Sequence, residues 1–294
     1  LGRNTNVSTA VSARAFTDAR QAPPSSATKE YLGMGNNTPI GEGSKIARVR
    51  SSTVGVDANC QWGIGEWGKP ISDAELVQAR SIIGQTQSTV LTGDDFSDDK
   101  IKNRSDISDY RILHFATHGL VTAPNPSCPT KPSLLTSFGA EGSDGLLAFD
   151  EIFDLKLDAD IVILSACDTA GKASIAATRE AGVSTGGGTA LDGLVRSFIG
   201  AGGRSVLASH WPAPDDFDAT ERLIGGLFSD GQNLSVAEAM RVSQLKLMDD
   251  PSTSHPYYWS GFAIVGDGAR PFLSGSKSAA LNETNGNEEA SALK

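Results

Sequence analysis

Residues 160–169 read DIVILSACDT, and residues 111–119 read RILHFATHG. In the first run four apolar residues in succession, Ile161 to Leu164, lead to Cys167. A strand with one wet face alternates apolar and polar residues. A short continuous run instead predicts a strand buried on both faces, as in a parallel sheet covered by helices. The second run predicts another such strand, leading to His118 and Gly119. Each strand stops at a reactive side chain, and the histidine precedes the cysteine by 49 residues.

Working outward, helical and strand patterns alternate. YLGMGNNTP begins with a strand near Tyr31; its Gly33-Met34-Gly35 lacks the third glycine of a dinucleotide loop. From Asn36 to Pro70 the glycines and polar runs predict irregular chain. SDAELVQARSII predicts a helix, with Ser72 and Glu75 as a capping box and Leu76, Ala79, Ile82 and Ile83 on one face. STVLTG predicts a strand and DDFSDDKIKN a short helix. SLLTSF and GLLAFDEIFDLK restart order inside a Pro/Ser/Gly-rich connection after Leu120.

Beyond Cys167, Leu191, Leu194, Val195, Phe198 and Ile199 recur at helical spacing, ending at Gly200 and Gly202. RSVLASHW predicts the next strand, Asp215 and Asp216 open a helix, Ser235 with Glu238 caps another, and YYWSGFAIVG closes the series as a strand. Alternation of this kind predicts an α/β fold with a mostly parallel central sheet in three layers. Sites in such sheets gather at the carboxyl ends of the strands, where His118 and Cys167 are both placed. Residues 1–28 are polar and aperiodic and read as a flexible lead-in or linker, 29–270 as one folded domain, and 271–294 as a disordered tail.

Composition narrows the function. Hydrophobic residues make up 39%, enough for a packed core, and no apolar run approaches membrane-spanning length. A formal net charge of −10 argues against nucleic acid as the main partner. The start, LGRNTNVSTA, lacks the basic-then-apolar pattern of a secretory signal. Because the chain begins at Leu1, that does not speak against a leader already removed. The three cysteines, Cys60, Cys128 and Cys167, include no CxxC, which disfavours a disulfide framework or zinc cluster and leaves room for a free thiol. Pairing of Cys60 with Cys128 stays open, and a reduced, cytoplasmic setting is the expectation. No cofactor or metal is expected.

A strand-end thiol and a strand-end imidazole suit nucleophilic catalysis: a thiolate attacks a carbonyl while the histidine manages protons. Gly119, without a side chain, and the Cys167 N–H could offer two donors to an oxyanion. Taken singly, each residue has a plainer reading. A cysteine after VILSA is more often a small buried hydrophobe, and a histidine at a strand end is more often structural. His114, His210 and His255 read as structural for the same reason.

In order, HFATHG, DGLLAFDEIFDLKLDADIVILSACDT, LVRSFIGAGGRSVLASHW and HPYYWSGFAIVG resemble the CHAT proteases, caspase-like domains usually found behind tetratricopeptide repeats. The resemblance spans roughly Tyr31 to Gly266. The histidine-to-cysteine distance is also close to that of caspases. The resemblance implies a caspase-like α/β sandwich of clan CD, of bacterial type, and a cysteine endopeptidase with His118 and Cys167 as its dyad. It further implies a protein or peptide substrate and control by a repeat domain or an activator protein. Where family members read SLW, this chain has Ser209-His210-Trp211.

Asp168, Asp215 and Asp216 near the expected site favour a basic residue, Arg or Lys, before the cut. For the last two the plainer role is to favour a helix N-terminus. The loop from Gly171 to Gly188 carries Lys172 and Arg179 where caspases are cut in maturation, so self-cleavage there is an expectation too. Second to the protease stands a catalytically silent scaffold for protein–protein interaction. A nucleotide-binding protein lacks its phosphate loop, a serine hydrolase its GxSxG elbow, and a metallohydrolase its HExxH.

Overall fold

A computed structural model describes residues 2–40, 60, 62–120, 125, 127–128, 131–140, 142–167, 188–211 and 216–273. The strands are β1 (Lys29–Gly35), β2 (Ser88–Leu91), β3 (Tyr110–Leu120), β4 (Ser133–Leu135), β5 (Leu146–Ala148), β6 (Ile161–Cys167), β7 (Ser205–Ser209) and β8 (Phe262–Gly266). The main sheet runs β2-β1-β3-β6-β7-β8. Its members are parallel except β8, which is antiparallel to β7. β4 and β5 form a hairpin that continues the carboxyl end of β3, with Gly119 opposite Leu134.

Alternation within the central strands sends side chains to two cores. Leu113 and Phe115 of β3 with Val162 and Leu164 of β6 pack against Leu194, Val195 and Phe198. The latter belong to helix α5 (Gly188–Gly200), which shares this side of the sheet with α3 (Asp98–Lys102) and α4 (Phe149–Phe153). Ile112, Ile161 and Ile163 pack on the other face, against Leu223, Ile224 and Phe228 and against Ala239 and Leu247. Those residues lie on α6 (Ala219–Asp230) and α7 (Val236–Asp249), with α2 (Ala74–Ile83) on the same side. The uninterrupted apolar run of β6 is thus explained: both of its faces are covered. The result is the expected α/β fold with a mostly parallel sheet between helical layers. Among the described residues no helix is long and apolar enough to cross a membrane.

Three local expectations change. The stretch read as a flexible lead-in contains α1 (Ala13–Gln21), capped by Ser12, whose Oγ accepts from the Ala15 N–H at 3.1 Å. α1 buries no residue. Thr9 pairs with the outer edge of β8, its N–H donating to Ile264 O at 2.8 Å and its carbonyl accepting from the Gly266 N–H at 2.7 Å. The Ser72–Glu75 capping box does not form. The N-cap of α2 is Asp73, and Glu75 turns inward toward His114. Of YYWSGFAIVG, the first part is a short helix, α8 (Pro256–Trp259), because His255 caps it and Pro256 occupies its first turn.

Cys60 and Cys128 are joined by a disulfide with Cα atoms 5.4 Å apart, which resolves the pairing that the sequence left open. The bridge spans 68 residues and ties the chain before β2 to the chain after β3.

Candidate active site

His118 lies near the carboxyl end of β3, and β6 runs beside it in parallel. The register pairs Ile112 with Ile161, proceeds without a slip, and ends with His118 opposite Cys167. Neighbouring strands lie about 4.8 Å apart, so two residues far apart in the chain are brought level by backbone pairing alone. The main sheet brings both to the edge where the parallel strands end.

The His118 ring is buried, 8% exposed. Its Nε2 lies 2.6 Å from the Lys69 carbonyl oxygen. A carbonyl only accepts, so Nε2 carries the proton, and in the neutral ring Nδ1 holds the lone pair. Lys69 owes its place to Trp67, two residues earlier and wholly buried. The Trp67 indole donates to Thr136 O at 2.8 Å, and its carbonyl accepts from the Ile40 N–H and from Asn37 Nδ2. Trp67 packs with Leu120 and Leu135 in a small core beside the end of β3. Nothing in the residue type of Lys69 signals this part, because it acts through its backbone.

His114, four residues back on the same face, serves the core. Its Nδ1 meets the Tyr31 hydroxyl at 2.9 Å, and its Nε2 lies 3.3 Å from Glu75 Oε1 without the alignment of a hydrogen bond. Burial, and then the nearby Glu75, push the Tyr31 phenol well above its usual range. All three groups are buried, so the structural reading of His114 stands.

Of the other site residues named from the sequence, Gly119 follows His118 in β3 and is itself paired across to Leu134 of β4. Asp216 is exposed, in a 3-10 turn (Asp216–Asp218) between β7 and α6. Asp168 and Asp215 lie outside the described residues, as does the loop 171–187 with Lys172 and Arg179. Among the described residues no cluster of His, Cys, Asp and Glu could hold a metal. A cavity of about 430 Å³ lies at the opposite, amino edge of the sheet, between α1 and Gly202, Arg204 and Val265. Its lining includes neither His118 nor Cys167.

A family model described as the CHAT domain matches residues 1–267. The chain belongs to the CHAT domain family. A curated relative, human tetratricopeptide repeat protein 28, is 27% identical over 55% of this chain and 7% of its own length. The CHAT chain therefore spans a small fraction of that relative. Among solved structures it is similar to the Arg-specific cysteine proteinase gingipain R, with a TM-score of 0.47 and 10% identity, covering 87% of this chain and 51% of that one. A likeness of that degree carries no argument about activity. The match to the CHAT family model reaches from residue 1 past α1 to just beyond β8, so the lead-in expected from the sequence falls inside it.

Proposed function

We propose that this CHAT domain is a cysteine endopeptidase that cuts a partner protein after Arg or Lys, with residues 29–270 as the catalytic unit. The observation that carries the reading is the register of His118 with Cys167, joined to the Lys69 carbonyl that orients the imidazole. The Cys167 thiol gives its proton to Nδ1 of His118, and the thiolate adds to the carbonyl carbon of the scissile peptide. The resulting oxyanion takes hydrogen bonds from the N–H groups of Gly119 and Cys167. Collapse of this intermediate breaks the C–N bond as the imidazolium passes its proton to the leaving amine. A thioester remains. Water, deprotonated by His118, then attacks the thioester, releasing the carboxylic acid product and restoring the thiol. Throughout, the Lys69 carbonyl keeps Nε2 protonated and holds the ring in one orientation, the task an orienting third group performs in acyl-transfer sites.

Asp168, Asp215 and Asp216 are proposed to supply the negative field for a basic side chain. The name of the human relative supports placing control in an adjoining repeat domain or activator protein. We place the protein in no compartment; a cytoplasmic setting sits poorly with the Cys60–Cys128 bond, since disulfides persist where thiols are oxidised.

Fluorogenic peptides with Arg, Lys or Asp before the cut test this reading on wild type and Cys167→Ala. Hydrolysis after Arg or Lys, lost by at least about 10³-fold in the variant, is the expected result. Hydrolysis after Asp keeps the protease and removes the acidic pocket. No hydrolysis of any peptide, with no alkylation of Cys167 by an arginyl electrophile, leaves the silent scaffold as the function.

A further inference from the structure

The carboxyl edge of the sheet carries a second feature. β6 and β7 pair up to Leu164 and Ala208. Three residues further on, the first chain reaches Cys167 and the second reaches Trp211. Trp211 lies against Gly261, where an added Cβ would come within 2.9 Å of the indole, so only glycine leaves room for it. The Trp211 Nε1–H donates to Tyr257 O at 3.2 Å. From there the Tyr257 and Tyr258 rings meet edge to face at 5.4 Å, and Tyr258 meets Phe217 the same way at 5.8 Å. Trp211 is thus joined through the Tyr257 carbonyl to a cluster of three rings, Tyr257, Tyr258 and Phe217.

Burial does not account for this arrangement. Phe217 is 56% exposed and Tyr257 45%, among the most exposed large apolar side chains of the molecule. Phe217 also sits at φ 57° and Asp218 at φ 53°, left-handed backbone that a bulky residue adopts only under constraint. The constraint is visible: Arg222 donates to the Phe217 carbonyl at 3.4 Å and is itself held by Asp250 at 2.7 Å. Strain and exposed apolar surface both cost stability, and a ligand that uses them would account for both. Asp216 and Asp218, the chain neighbours of Phe217, are exposed as well.

We infer that Trp211, Phe217, Tyr257 and Tyr258 form a substrate subsite for a large apolar side chain within about four residues of a basic one. The inference rests on the peptide-cleavage reading and adds its second specificity element. An extended peptide advances about 3.3 Å per residue, so a chain lying with its scissile bond at Cys167 passes along the whole aromatic row. The rings supply rigid apolar area at little cost in side-chain entropy, and the carboxylates favour a cationic neighbour.

The test uses the full chain carrying Cys167→Ala and two ten-residue peptides with one central Arg. One has Leu and Phe within four positions on either side of the Arg; in its twin these are Gly. Isothermal titration calorimetry gives the affinities, and the Trp211 indole N–H resonance, assigned through Trp211→Phe, reports the place of binding. The expected result is tighter binding of the apolar peptide by about 10-fold or more, with the Trp211 signal shifting. Adding Phe217→Ala and Tyr257→Ala, both exposed positions, brings the two peptides to within about twofold. Equal affinity of the peptides, absence of binding, or a preference that survives the double substitution overturns the subsite. Binding needs no thiol chemistry, so the two readings fail separately. A preference in a chain whose wild type cleaves nothing removes the peptidase and leaves a peptide-binding surface; cleavage without preference does the reverse.

Discussion

At the scale of single residues, the proposed chemistry depends on a histidine held by a backbone atom. His118 was legible in ATHG, and Cys167 in SACDT, because reactive side chains at the ends of apolar runs stand out. Lys69 was not, since any residue offers the same carbonyl. Glu75 was misread for a related reason: its spacing from Ser72 fits a capping box, but in the fold its side chain is buried beside His114, 3.3 Å from Nε2. A further residue to test is Asp250. Hydrogen bonds from the Ser252 hydroxyl and N–H, and then the Arg222 guanidinium, hold its carboxyl at about 2, below the value of about 3.9 in an unfolded chain. A depressed carboxylate stabilises the fold fully above the unfolded value, and that contribution fades as pH falls toward 2. Thermal melts of wild type and Asp250→Asn between pH 7 and 2 should therefore differ most at neutral pH and converge as the medium becomes acidic. A constant gap across that range would show that the carboxylate's charge is not what matters.

At the scale of elements, the segment 60–69 is the part whose role the sequence concealed. Its described residues include the 3-10 turn Ile64–Gly68 and its sequence has no periodic pattern, yet it delivers the Lys69 carbonyl. Two devices fix it: Trp67 at one end and the disulfide to Cys128 at the other. Closing 68 residues into a ring lowers the entropy of the unfolded chain by up to about 4 kcal/mol. Reducing the bond, or replacing both cysteines by Ala, should lower the melting temperature by up to roughly 10 °C. Calorimetry with and without a phosphine reductant measures it. An unchanged melting point would mean that the reduced thiols hold the two segments equally well, or that the bond does not form in solution; thiol counting separates those cases.

For the whole molecule, the order β2-β1-β3-β6-β7-β8 leaves β8 as one border of the sheet, and the N-terminal segment covers it through Thr9. An uncovered strand edge offers unpaired N–H and C=O groups to another chain. Removing residues 1–12 should therefore produce concentration-dependent self-association, read by light scattering coupled to size exclusion. A truncated chain that behaves as the full one does at every concentration would assign the segment no protective part. Arg270 supports the cover from below, donating to the Ala19 and Ala22 carbonyls at the end of α1 at 2.8 and 2.6 Å.

The division between sequence and structure follows from the range of the forces involved. Local and periodic signals determined the α/β class, the positions of the main strands, the Ser235 cap on α7 and the strand-end places of His118 and Cys167. Burial on two faces leaves its mark in every residue of a central strand such as β6. Only tertiary structure decided that Cys60 meets Cys128, that Lys69 faces His118, that Glu75 serves His114, and that Trp211 and Phe217 lie in one aromatic row. Each of those joins segments far apart in the chain, through a backbone atom, a loop, a strained turn or, for Glu75 and His114, side chains of a helix and a strand. Such contacts are set by how the layers pack, and no periodicity along the chain records them.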